Sequence, residues 1–237
     1  MSIEIKEIKN DKIQIKSLKM ATNKPIPGND GRVFERYGFC LLVCGPPASG
    51  KSSLIFSQLT NSGGLFYKKF HKVYIFSPSL NTIEKKIEIP EEQKFDTFDV
   101  DALQDIVDRQ KQNSDDPDEI LLIFDDLLTE ISKDNSRTFL KTVFNRRHLH
   151  ISIIVMTQVF NKIKSHMRKA FDSFIILRTN NKKEIEFVRD EITQYDRKEW
   201  NEIIKYCFDS PHSFIMLKLD GNIYKNFNKL EITEIEQ

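Results

Sequence analysis

Continuous runs of apolar residues, rather than strict alternation, punctuate the chain. Phe39–Cys44 (FCLLVC), Val73–Phe76 (VYIF), Ile120–Phe124 (ILLIF), Ile151–Met156 (ISIIVM) and Phe174–Leu177 (FIIL) are short and bounded by polar residues. Such a run predicts a strand buried on both faces, because alternation survives only where one face meets water. Phe214–Leu219 (FIMLKL) is a sixth run with partial alternation. The stretches between them have helical spacing: Lys51–Leu59, Asp101–Gln110, Ser136–Arg147, Glu184–Ile192 and Arg197–Phe208. Strands alternating with helices predict crossover connections and an α/β fold with a mainly parallel central sheet flanked by helices. The polar stretch Arg109–Glu119 (RQKQNSDDPDE) reads as a surface loop, and Pro25–Gly31 (PIPGNDG) as a turn cluster. Residues 1–30, Lys-rich with Ile at short intervals over 1–24, are expected to be an N-terminal arm or strand ahead of one domain spanning 31–237.

Composition adds bounds. The chain has 237 residues, 39% of them hydrophobic and eighteen of them Phe, enough to fill the core of one large domain. Its 36 basic and 35 acidic residues leave a formal charge of +1, so contact with a polyanion requires a local patch. Cys40 and Cys44 fall on one predicted strand, about 13 Å apart at about 3.3 Å per residue, too far for a disulfide. No C-x-x-C or clustered His/Cys spacing suggests zinc, and the five histidines (71, 148, 150, 166 and 212) read as structural. The first residues lack a signal-peptide core and no apolar run has membrane-spanning length, so a cytosolic or nuclear, reducing location is expected.

The most informative segment is Gly45–Ser52, GPPASGKS, which matches G-x-x-x-x-G-K-[ST] between a buried strand and a helix. Gly45 and Gly50 permit the backbone angles that turn successive N–H groups toward phosphate oxygens, and the helix N-terminus adds partial positive charge. Gly45, Pro46, Pro47, Ala48, Ser49, Gly50, Lys51, Ser52 and Ser53 are therefore the expected cradle for ATP. Lys51 bridges the β- and γ-phosphates, and Ser52 ligates Mg²⁺.

Leu121–Asp126 (LLIFDD) ends an apolar strand in two carboxylates, and strand ends deliver residues to the ligand-binding edge of such a sheet. Asp125 is expected to hold Mg²⁺ opposite Ser52, and Asp126 to orient or deprotonate the attacking water. The strand 151–156 ends in Thr157-Gln158, whose amide can sense the γ-phosphate or simply face solvent. Asn145–His148 (NRRH) offers Arg146 and Arg147, either as an arginine finger or as basic residues suited to a helix C-terminus.

The ordered set GPPASGKS, LLIFDD, NRRHLHISIIVMTQ resembles the FtsK–HerA superfamily. Within it, the set is most similar to the poxvirus-type genome-packaging ATPases of large DNA viruses and virophages. The discriminating element is an Arg-His pair leading into an apolar strand that ends in Gln. The resemblance covers about residues 35–180. It implies an additional-strand (RecA/FtsK-like) P-loop fold, with the Gln158 strand between the Gly45 and Asp125 strands. It also implies that Gln158 lies close to the γ-phosphate and that Arg147 is the preferred trans finger, with Arg146 in reserve. A homo-oligomeric ring (pentamer or hexamer) threading double-stranded DNA into a capsid is implied as well, as are a capsid or portal-vertex partner and a location in the host cytoplasm's virus factory and the virion. Asp126 departs from the pattern, since the superfamily often has Glu there.

Asn161–Lys169 (NKIKSHMRK) and Arg178–Lys183 (RTNNKK) are basic and follow strand ends. They suit a DNA channel that grips phosphates without reading bases, or an ordinary solvated face. Two other functions compete with DNA translocation. A nucleotide kinase-like phosphotransferase needs an Arg-rich lid that the sequence does not show, and an ATP-dependent assembly factor without hydrolysis has no need of Asp126.

Overall fold

The computed structural model describes residues 23–80, 88–113, 115–131 and 136–233, and in it the apolar runs become neighbouring strands of one sheet. These are β1 (Cys40–Cys44), β2 (Lys72–Phe76), β4 (Ile120–Asp125), β5 (Ile151–Thr157), β6 (Ser173–Leu177) and β7 (Phe214–Lys218). Three short strands join them: β3 (Lys94–Phe95), β8 (Ile223–Lys225) and β9 (Asn228–Lys229). The order across the sheet is β3-β2-β4-β5-β1-β6-β7-β8-β9. Pairing is parallel from β3 to β6 and antiparallel from β6 to β9. β5 thus lies between β1 and β4, as the family resemblance implies.

The strands are apolar on both faces because both faces are covered. In β1, Cys40, Leu42 and Cys44 point into one core layer, while Leu41 and Val43 point into the other. The first layer holds α2 (Val100–Gln112), α4 (Ser136–Asn145), α6 (Lys182–Ile192) and α7 (Arg197–Cys207), with Leu103, Phe139, Val188 and Trp200 buried. The second is built from α1 (Lys51–Thr60) and the irregular segments before β1 and β2, with Ile26, Phe34, Phe39 and Phe66 among its residues. Ile26 is only 1% exposed, and the Asn29 amide donates to Phe34 O and Leu65 O, so residues 25–29 pack into the body that follows them. Most of the expected arm, residues 1–22, lies outside the described residues.

One expectation is corrected. The loop expected over 109–119 starts later, since α2 continues past Gln110 to Gln112 with Gln110 turned inward. Its amide, in a side chain 4% exposed, donates to Asp118 O and Leu149 O at 2.8 Å each. Side-chain caps set several helix starts. Asp99 and Asn181 accept from the first turns of α2 and α6, and Asp196 and Glu199 form a reciprocal capping box on α7. Cys40, Cys44 and Cys207 are buried free thiols. Burial pushes the Cys40 and Cys44 thiols well up and that of Cys207 to about 11, which keeps them protonated and inert.

Candidate active site

Three strand ends lie level: Cys44 of β1 pairs with Thr157 of β5, whose Met156 pairs with Asp125 of β4. The loops leaving them form one cleft at the C-terminal edge of the sheet. The segment 45–50 leaves β1 with Gly45 N donating to Thr157 O. A Cβ at Gly45 would stand 2.8 Å from both Leu177 Cβ and Ser49 Oγ, so only glycine lets the chain pass there. Positive φ at Ala48 (57°) and Gly50 (96°) curls the loop before α1 begins at Lys51. Gly50, the N-cap, gives α1 no side-chain acceptor, and its first turn carries no acid, which leaves a helix terminus disposed toward an anion. The Lys51 ammonium spans the loop, donating to Gly45 O (2.9 Å) and Pro46 O (3.2 Å), with the residue 6% exposed.

The two halves of the site meet at Asp125, which is 1% exposed. Its Oδ2 accepts from Ser52 Oγ at 3.2 Å and from Ser77 Oγ at 3.1 Å. Its Oδ1 is buried without a partner. Burial, and then the neighbouring Asp126 charge, push the carboxyl above the ordinary range, against the pull of the Ser77 and Ser52 hydroxyls and of Lys51. A buried, unpaired carboxylate oxygen beside a hydroxyl at the mouth of a phosphate loop fits a divalent cation, which would supply the missing positive charge. Among the described residues no group of three or more His, Cys, Asp and Glu side chains could hold a metal alone, so a cation here needs phosphate or water oxygens to complete its shell.

Asp126 takes φ 54°, a left-handed turn that ends the strand just after its N–H has donated to Met156 O. Its carboxylate is exposed and accepts from Gln158 Nε2 at 3.1 Å. Ser52, Asp125, Asp126 and Gln158, distant in sequence, thus converge beside Lys51.

The two arginines part company. Arg146 is buried, donating from Nε to Gly38 O (3.0 Å), from Nη1 to Val143 O (2.9 Å) and from Nη2 to Asp172 Oδ2 (3.0 Å). Every edge of its guanidinium is occupied, so the structure corrects its candidacy as a free finger: it braces β1 against the turn before β5. Arg147 is exposed and lies over Gly38, lining a groove of about 720 Å³ with Asn23, Asp172 and Lys218. That groove is at the N-terminal edge of the sheet. The length of β1, about 17 Å at about 3.3 Å per residue, separates it from the cleft.

Three residues near the cleft escaped the sequence reading. Ser77 directly follows the VYIF run and is completely buried, so the strand-end rule that selected Asp125 also applies to it. Glu184, buried in the first turn of α6, accepts from Phe160 N and from Cys44 Sγ (3.8 Å), tying the loop after Gln158 to the stem of the phosphate loop. His212, before β7, sets Nδ1 3.0 Å from Ser49 O. Nothing in the sequence distinguishes it from His71 and His150, which flank Glu119 at 2.9 Å each. Of the basic segments, Lys162, Lys169, Arg178, Lys182 and Lys183 are exposed, whereas Arg168 is held by Glu191 (3.0 Å) and packs over the Phe187 ring.

A family model described as "Poxvirus A32 protein" matches residues 32–206. Among solved structures, the DNA-packaging ATPase B204 of Sulfolobus turreted icosahedral virus is similar with a TM-score of 0.57 at 16% identity, over 80% of this chain and 97% of that one. The genome-packaging NTPase B204 of Sulfolobus turreted icosahedral virus 2, in complex with ATP-gammaS, gives 0.58 at 15% identity, over 79% and 95%. EssC (ATPases 2 and 3) from Geobacillus thermodenitrificans gives 0.56 at 15% identity, over 84% of this chain and 41% of that one. At these identities the likeness establishes the fold. No curated protein matches the chain.

Proposed function

The chain belongs to the poxvirus A32 protein family, and from that premise we propose that its cleft hydrolyses MgATP to drive double-stranded DNA into a viral capsid. Family and fold together make it a viral genome-packaging ATPase. The observation that carries the chemistry is the contact chain Ser52–Asp125 and Asp126–Gln158, which joins the phosphate loop to two further strand ends.

The N–H groups of Gly45–Ser52 cradle the phosphates, and Lys51 turns from the loop carbonyls to the β- and γ-oxygens. Ser52 and Asp125 would hold Mg²⁺, which would supply positive charge beside the phosphates, and Ser77 keeps Asp125 in place for it. Asp126 and Gln158 orient the attacking water, and Asp126 takes up its proton. Their mutual hydrogen bond must open for both to engage water and γ-phosphate. Arg147 lies on the far edge of its own sheet, so it serves the site of the next subunit in a ring of five or six, neutralising transition-state charge there. The loops at 161–169 and 178–183 leave the edge that holds the cleft, and the exposed Lys162, Lys169, Lys182 and Lys183 grip DNA phosphates without reading bases. A capsid or portal-vertex protein is the expected partner, in the host's cytoplasmic virus factory. Among the described residues no helix is long and apolar enough to cross a membrane.

Mixing two inactive variants tests the shared site. Asp126→Asn is expected to bind ATP while losing about a hundredfold or more of turnover, and Arg147→Ala to be inactive alone. Assembled mixtures recover activity if the arginine acts across subunits. Mixtures that assemble without recovering activity contradict that geometry.

A further inference from the structure

The phosphate loop has two flanks. On one, β5 and β4 carry Gln158, Asp126 and Asp125; on the other, β1 is followed by β6 and β7. At this second flank the end of β6 packs under Gly45, and the backbone of Arg178 donates to Ser213 O at 2.9 Å. The turn before β7 is thereby held against the loop. It presents His212, exposed and in the left-handed region at φ 62°, with Nδ1 3.0 Å from Ser49 O and 3.3 Å from where a Cβ on Gly50 would stand. Ser49 has its carbonyl engaged by this ring, while its Oγ is buried without a partner.

A nucleoside triphosphate is a linear ligand, and its orientation here follows from the chemistry. The terminal phosphate and the attacking water belong with Asp126 and Gln158, and the cation with Ser52 and Asp125. The phosphates then cross the loop, and the nucleoside emerges on the opposite flank, beside the imidazole of His212. An exposed aromatic ring beside the exit of a phosphate cradle is a stacking surface for a base, whose π-face accepts such a partner with little regard to sequence or substituent. We propose that His212 forms the nucleoside-side wall of the site, its imidazole packing on the base–ribose unit of the bound triphosphate. The inference rests on the reading of Gly45–Ser52 as a nucleotide cradle. It goes beyond the family match, which ends at residue 206.

Calorimetric titration with MgATP and, separately, with magnesium tripolyphosphate, which lacks a nucleoside, tests it on wild type, His212→Ala and His212→Phe. His212→Ala is expected to weaken MgATP about tenfold, within the range for losing one base–aromatic stack, and to leave tripolyphosphate unchanged. His212→Phe keeps a flat ring without the contact to Ser49 O and should recover most of the MgATP affinity. Equal weakening of both ligands by His212→Ala would overturn the proposal, since the ring would then act only by shaping the phosphate loop. Unchanged MgATP binding in His212→Ala, or no recovery in His212→Phe, would overturn it as well. Wild type that binds neither ligand, behaving like Lys51→Ala, would bring down the nucleotide reading itself and the inference with it.

Discussion

Arg146 and Arg147 are adjacent and equally basic, and Arg147 is the Arg of the Arg-His pair, yet it is the fold that assigns them opposite duties. Replacing Arg146 by Ala removes a guanidinium whose side chain is 11% exposed and paired with an Asp172 carboxylate 27% exposed. It also strips Gly38 O and Val143 O of donors at 3.0 and 2.9 Å. Asp172 retains Cys40 N on Oδ2 and Ser173 Oγ on Oδ1, so it is left short of a counter-charge but not bare. A hydrogen bond to a charged group contributes about 1.5–3 kcal/mol, and breaking a fully buried ion pair costs about 3–5 kcal/mol. These losses overlap, and part of the site reaches solvent, so about 3 kcal/mol is the reasonable total. For a chain of this size that corresponds to a fall of roughly 6–12 °C in Tm. Arg147→Ala, which removes an exposed side chain, should change stability by less than about 0.5 kcal/mol while removing ATPase activity from the assembled protein. Urea unfolding followed by tryptophan fluorescence of the buried Trp200, beside ATP turnover on the same samples, measures both. A fully stable Arg146→Ala that has lost turnover would refute the assignment and make Arg146 the finger.

Asp125→Asn relieves a buried carboxylate of raised pKa. That carboxylate favours the fold when protonated, below its unfolded pKa, and loses this contribution as pH rises through the folded value, so the substitution should stabilise the nucleotide-free protein by about 1 kcal/mol at neutral pH. The advantage should shrink as the pH falls toward the ordinary carboxylate range, and magnesium-dependent ATP binding should be lost at every pH; denaturation curves across pH and titrations with and without Mg²⁺ check both. Ser77→Ala removes one of the two hydroxyls on Asp125 Oδ2 and should raise the Mg²⁺ requirement for turnover about tenfold, as loss of a positioning partner does at other metal sites; an unchanged Mg²⁺ dependence would show Ser77 to be structural only. Gly45→Ala forces a methyl group to 2.8 Å from Leu177 Cβ and Ser49 Oγ, so ATP binding should fall at least tenfold, with a stability cost of about 1–3 kcal/mol from overpacking.

Much of this architecture is legible in the chain because both-face burial leaves a strong mark. All six apolar runs are strands, and GPPASGKS opens a helix. The strand order is a different matter. Nothing in the composition of ISIIVM says that it inserts between FCLLVC and LLIFD, and that placement came from a family likeness in the residues around Gln158. The short strands β3, β8 and β9 have two or three residues each, too few to show the alternation or apolar run by which a strand is read. The continuation of α2 to Gln112 is hidden by its polar composition, because Gln110 buries an amide satisfied by two backbone carbonyls from remote segments. Arg146 and Arg147 are separated by one step of backbone, enough to send one inward and the next outward, and only tertiary partners reveal which is which. Ser77 was recoverable from its strand-end position. His212 was not, since its approach to Ser49 depends on β7 returning antiparallel beside β6.

The reading proposed for this chain is a motor whose hydrolysis is coupled to DNA held by its phosphates. ATP turnover by the purified protein, with and without linear double-stranded DNA at two salt concentrations, tests it most directly. DNA of any sequence should stimulate turnover, and the stimulation should weaken as salt rises because phosphate contacts release counterions. Turnover that neither DNA nor salt alters, measured on protein shown to be assembled, would contradict it.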